Sequence, residues 1–121
     1  MRKETSTNFA NERTLKDECP FIFAISLMGK RWKPAILWKI SQGQNRFGQL
    51  KRAIRPISEK MLARHLRELE RDGLVVRRDF AELPPRVEYY LTKRGDALKP
   101  ILSQLKNWSE ENAGFNRRTT Q

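Results

Sequence analysis

Between residues 19 and 72 apolar side chains recur at three- and four-residue intervals, and beyond residue 73 the interval shortens to two. That change of period predicts a run of helices followed by a hairpin. In "CPFIFAISLMGKRW" Cys19 stands at a cap, Pro20 suits the first helical position, and Phe21, Ile25 and Met28 share one face before Gly29 ends the helix. A second helix is expected in "KPAILWKISQG", with Pro34 near its start and Gly43 past its end. Phe47, Leu50 and Ile54 mark a short third helix that Pro56 breaks. Ser58 caps a longer fourth, which Gly73 closes from the position after its C-cap.

The runs "LVVRRDF" and "RVEYYLT" are β-branched and aromatic, and "AELPP" between them reads as the stiffened tip of a hairpin. Thr92 can cap a last helix, in which Leu98, Ile101, Leu102, Leu105 and Trp108 form an apolar stripe. Pro100 lies inside that stripe and should kink the helix or begin its regular part. The order of elements describes a mainly α fold with a small β-hairpin, a winged helix-turn-helix. Its expected boundaries are a flexible arm over 1–18, the folded domain over 19–111 and a frayed tail over 112–121.

Composition adds a partner to this picture. The chain has 121 residues, enough for one domain, and a formal net charge of +11. Residues 1–18 carry no net charge, whereas residues 19–57 hold eight basic side chains and no acid. Eight cations without nearby partners repel one another, and the arrangement makes sense beside a polyanion. One cysteine and one histidine cannot assemble a metal cluster within one chain, and no glycine-rich phosphate loop is present. An enzyme, a metal site and a cofactor are therefore not expected. No apolar run is long enough to span a bilayer and no signal-peptide pattern precedes the first helix, so a cytoplasmic, nucleoid-associated protein is expected.

The fourth helix, "ISEKMLARHLRELERDGLV", sorts its charges by face. With Leu62 at zero and about 100° per residue, Leu66 and Leu69 fall near 40° and −20°, while Lys60, Arg64, Arg67 and Arg71 fall between roughly 140° and 200°. Glu59 and Glu70 lie on one flank, Glu68 and Asp72 on the other. An ordinary wet face would mix the signs to gain i,i+4 pairs; this one separates them. Such a ridge can lie in a major groove and meet phosphates or guanine edges. Ser58, at the helix start, can serve both as cap and as a phosphate contact, and His65 reads as a half-buried packing residue. Arg46 ahead of the third helix, and Arg77, Arg78 and Arg86 in the hairpin, complete the expected DNA-binding set.

On these residues the chain resembles the HxlR-type family of winged-helix transcription factors, related to the MarR regulators. The resemblance spans residues 19 to about 108. It rests on Cys19–Pro20, on "W…ILW…G…RF.QL" from Trp32 to Leu50, on "IS.KML..HLRELERDGLV", and on "PPRVEY.LT..G..L.P" from Pro84 to Pro100. It implies a homodimer that binds a double-stranded operator, with the helix of 58–72 as recognition helix and residues 77–86 as the wing. It also implies that the N- and C-terminal helices form the dimer interface, which here would draw on Phe21, Ile25, Leu98, Ile101, Leu102, Leu105 and Trp108. Two-fold symmetry would then ask for a pseudo-palindromic site with half-sites roughly 34–36 Å apart. The chain departs from the family pattern at Lys30, where a second glycine is usual, and at Arg55–Pro56, where proline–glycine is usual. A proline cannot take the positive φ that glycine allows, so the aim of the helix is expected to differ.

Several relatives carry a cysteine at the position of Cys19 that senses oxidants or electrophiles, so an oxidant or other small-molecule effector is a candidate partner. An inert cap is the alternative reading. A protein-binding adaptor and an RNA-binding winged helix are the rival functions. The basic ridge argues against the first, and the lack of an exposed aromatic platform against the second.

Overall fold

A computed structural model describes residues 19–113. The arm expected over 1–18 lies outside the described residues, as does the tail expected over 112–121 apart from its first two residues, of which Asn112 still belongs to the last helix. The chain forms α1 (Pro20–Met28), α2 (Lys33–Ser41), α3 (Phe47–Ala53), α4 (Glu59–Arg71), β1 (Val75–Asp79), β2 (Val87–Leu91), α5 (Lys93–Asp96) and α6 (Lys99–Asn112). The architecture is that of a winged helix-turn-helix: a three-helix core, a two-stranded antiparallel hairpin and flanking helices.

The core is built by α2, α3 and α4. Ile36, Leu37 and Ile40 meet Leu50, Ile54 and Ile57, and the Leu62–Leu66–Leu69 stripe of α4 closes the cluster. Leu74 and Val75 extend it to the root of the hairpin. The expected caps are in place: Ser58 Oγ accepts from the Met61 amide at 3.0 Å, and Gly73, at φ +78°, carries the chain out of α4. Pro56 leaves the entry to α4 intact, because Ser58 still caps it and the Ile57 amide donates to the Ile54 carbonyl at 3.0 Å.

In the hairpin Val75 faces Leu91, Arg77 faces Tyr89 and Asp79 faces Val87. Only Val75 of β1 is buried, so the strands leave the core at their root and project from it. The sequence pattern predicts one last helix, and the chain forms two. Thr92 caps the short α5 by accepting from the Gly95 amide at 3.0 Å, and Pro100 lies in the first turn of α6, where its missing N–H costs nothing. Pro100 therefore begins a helix rather than kinking one.

Apolar side chains on α1 and α6 find less cover. No residue of α1 is fully buried, with Phe21 79% and Ile25 62% exposed. On α6 Leu102 enters the core, while Ile101, Leu105 and Trp108 stay exposed.

Candidate nucleic-acid interface

Burial on α4 follows its periodicity. Leu62, Leu66 and Leu69 are sealed in the core, and Lys60, Arg64, Arg67 and Arg71 all stand exposed on the other side. The four basic side chains differ in how far they are already engaged. Lys60 and Arg67 form no ion pair among the described residues. Arg64 Nε reaches Glu68 Oε2 at 3.4 Å, and Arg71 grips Asp72 through two hydrogen bonds of 3.1 and 3.3 Å. That grip raises the Arg71 pKa further above its ordinary value. Lys60 and Arg67 are thus the freest cations on the ridge, and Arg71 the least.

Beneath this ridge lies an ion pair that sequence reasoning missed. Lys33, first residue of α2, is 2% exposed, and its Nζ meets Glu68 Oε1 at 2.7 Å. The hydrogen bond from Lys33 is the largest influence on Glu68 and helps hold its carboxyl down to about 2. His65 is buried beside the pair, with Nδ1 3.6 Å from Glu68 Oε1. Burial lowers the His65 pKa, and the charge on Lys33 lowers it further. His65 is neutral packing, more deeply buried than the half-buried position expected for it. Lys33 must also be withdrawn from the set of unpaired cations. It points inward and ties α2 to α4.

A second network joins α3 to the hairpin. The Tyr89 amide donates to the Asn45 carbonyl at 2.8 Å, and Asn45 Nδ2 donates to the Tyr89 carbonyl at 2.7 Å. Gln49 Oε1 reaches back to the amides of Asn45 and Arg46, each at 3.0 Å. The loop before α3 is so held against β2, and Arg46 with it. Arg46 then meets Glu88 Oε2 at 3.5 Å, and Arg86 approaches the same oxygen at 3.8 Å. Tyr90 donates its hydroxyl to Glu88, which lowers the Glu88 pKa and raises that of Tyr90. Arg86 also pairs with Glu82 at 3.2 Å and stacks on the Phe80 ring at 3.7 Å. Arg78 stands over Tyr90 at 5.5 Å, and Arg77 has no ion pair among the described residues. Arg46 is therefore a second member of the acid-free segment that is not unpaired. Glu88, one pair short of the tip end of the ladder, gathers two expected DNA contacts on the wing.

In the sequence Glu68 stands out only as a flanking acid, and Asn45, Gln49 and Glu88 are not singled out. Only Gln49 left a local signal there, since a glutamine three residues after a cap position is the capping-box spacing. Cys19 occupies the N-cap of α1 as a free, partly exposed thiol whose side chain makes no capping hydrogen bond. Among the described residues no group of three or more His, Cys, Asp or Glu side chains could hold a metal ion. No helix of the described residues is long and apolar enough to cross a membrane.

A basic ridge backed by a three-helix core and flanked by an arginine-bearing hairpin defines a winged helix-turn-helix regulator. The chain belongs to the HxlR-like helix-turn-helix family, whose model matches residues 27–116. It is 40% identical over 97 residues to the HTH-type transcriptional regulator YybR of Bacillus subtilis, covering 80% of this chain and 78% of that one. Among solved structures it superposes on the redox regulator HypR in its reduced form with a TM-score of 0.76 and 37% identity, over 82% of this chain and 98% of that one. It is also similar to the reduced form of the transcriptional regulator YodB from B. subtilis, with a TM-score of 0.67 and 38% identity over 78% and 93% of the two chains. These relatives are transcriptional regulators, and the protein belongs with them rather than with enzymes.

Proposed function

We propose that this protein is a dimeric, sequence-specific regulator that binds a pseudo-palindromic duplex operator in the cytoplasm, with α4 in the major groove and the hairpin on the backbone or minor groove. The observation that carries this reading is the division of α4 into a sealed leucine face and an exposed Lys60–Arg64–Arg67–Arg71 face. A helix fixed from behind and cationic in front can present side chains to base edges while neighbouring cations bind phosphates. Ser58 and Arg46 would contact phosphates at the starts of α4 and α3, and Arg77, Arg78 and Arg86 would serve the wing. Five exposed or partly exposed apolar residues, Phe21, Ile25, Ile101, Leu105 and Trp108, with Leu98 beside them, would meet their counterparts in a second copy. Leu102 is excluded from that surface because it is already in its own core.

Selection from a random duplex library, followed by titration over a salt series, tests the reading. The expected result is an enriched inverted repeat with half-sites roughly one helical turn apart, and an affinity that falls steeply with salt. Failure to enrich any motif, or a weak response that is flat with salt, would overturn it.

A redox response through Cys19 is favoured by its exposure and by the likeness to HypR, a redox regulator by name. Cys19 is the chain's one cysteine, so a disulfide would join two copies. Two thiols would lose two protons and pass two electrons to an added oxidant such as diamide. A diamide-dependent dimer on a non-reducing gel, absent in Cys19→Ser, is expected; a wild-type chain that stays monomeric there removes the disulfide route.

A further inference from the structure

Beside the ridge of α4 lies a cleft of about 380 Å³, formed where the α1–α2 linker passes the flank of the recognition helix. Lys30, Arg31 and Trp32 line it from the linker, and Met61, Arg64 and His65 line it from α4. We propose that this cleft is a second backbone-binding edge of the DNA interface, in which Lys30 and Arg31 join Arg64 in holding phosphodiesters of the duplex. The proposal rests on the DNA-binding reading above and adds two residues to it.

Three observations carry it. First, the cleft is cationic in net terms. Its single acid, Glu68, is already engaged by Lys33 at 2.7 Å and by Arg64 at 3.4 Å, so it offers nothing to Lys30 or Arg31. Neither linker residue forms an ion pair among the described residues, and both are exposed. Second, the cleft is continuous with the expected groove face, because Arg64 belongs to both. A helix lying in a major groove has a phosphate strand along each flank, and the flank that carries His65 and Glu68 is the one the linker follows. Third, the linker is held in place. The Arg31 guanidinium stands 4.9 Å from the centroid of the Trp32 ring, Trp32 packs against the core, and the buried Lys33 follows directly. Cations on a fixed linker lose less freedom on binding than cations on a loose one. Lys30 also occupies a position where the resemblance described above has glycine, so this edge would be stronger here than the family pattern requires.

The test compares the wild type, the Lys30→Gln/Arg31→Gln double variant and the charge-retaining Lys30→Arg/Arg31→Lys variant. Each is titrated by fluorescence anisotropy with a selected operator and with a scrambled duplex across a sodium chloride series. Loss of two phosphate contacts in each protomer, four per bound dimer, should lower the salt slope by about 3.6, at about 0.9 per contact. The loss should be equal on both duplexes, leaving their affinity ratio unchanged, and the charge-retaining variant should keep the wild-type slope. Both side chains are exposed, so circular dichroism and thermal melting of the double variant should match the wild type. An unchanged slope, or a loss confined to the operator, would overturn the inference. A wild type that itself shows a flat salt response on both duplexes would instead overturn the DNA-binding reading beneath it.

Discussion

Lys33 sits within a run of cations, yet it is the one whose charge is turned inside, against Glu68. The two partners differ in exposure, and that difference predicts unequal losses. Removing the carboxylate charge with Glu68→Gln strands a 2%-exposed ammonium, for which the cost is about 3 kcal/mol. Removing the ammonium with Lys33→Met leaves a carboxylate that is partly exposed and still near Arg64, and should cost about 1 kcal/mol. Urea denaturation of both variants checks the order. Acid should act on the same cluster in two stages. The unfolded His65 imidazole takes up a proton near 6.5, before the folded one whose pKa burial has lowered, so stability falls as pH drops through 6.5. Glu68 adds stability that is fully present above about 4.5 and is lost as pH falls toward 2. His65→Gln should remove the first stage and leave the second, read from urea midpoints between pH 7 and 3. None of this was visible in the sequence, because a lysine before a proline at a helix start reads as solvated. Its partner lies 35 residues further on.

At the scale of elements, the helices with one apolar stripe were legible and the joints between elements were not. Leu62, Leu66 and Leu69 fall on one side by spacing alone, and Ser58 and Gly73 announce both ends of α4. The docking of Asn45 on Tyr89 depends on residues 44 apart and has no local pattern. The break between α5 and α6 was legible only as an alternative, since Pro100 suits both a kink and a start. Gly95 explains why α5 is where it is. A Cβ at that position would overlap the Leu74 carbonyl, which also accepts from the Thr92 amide at 3.1 Å. Gly95→Ala would gain up to about 1 kcal/mol in helix propensity, but the collision is with backbone and cannot be relieved by a rotamer change. The net effect should be a loss of about 2 kcal/mol, measured as a lower thermal midpoint. An unchanged or raised midpoint would show that α5 can shift away from the hairpin root.

For the molecule as a whole, the apolar surface left on α1 and α6 is the strongest argument about assembly. Isolated exposed leucines are ordinary, but two helices that both leave large apolar side chains uncovered call for a partner. Ile101→Asp/Trp108→Glu should halve the mass seen by sedimentation while leaving the circular dichroism of the core unchanged. On the dimeric reading proposed above, operator affinity should fall by more than tenfold, because two half-sites would no longer be bound as one unit. A variant that sediments like the wild type would place the contact elsewhere. The stripe on α6 was legible as a stripe; its division into Leu102 inside and Ile101, Leu105 and Trp108 outside was not. That division depends on α2 lying against only one side of the helix, with Trp38 and Leu102 lining the groove between them.

The hairpin begins and ends at one knot. Thr92 Oγ1 donates to the Gly73 carbonyl at 2.6 Å, its amide reaches Leu74, and Arg94 Nη1 donates to the Asp72 carbonyl at 3.0 Å. Two chain ends pinned together make the wing a cassette whose far tip can be exchanged without reopening the body. Residues 81–85 could be lengthened, or replaced by another sequence, while 72–74 and 92–95 keep the junction closed. Diversification of what the wing touches would then proceed almost independently of folding, leaving the scaffold free to be reused on many operators.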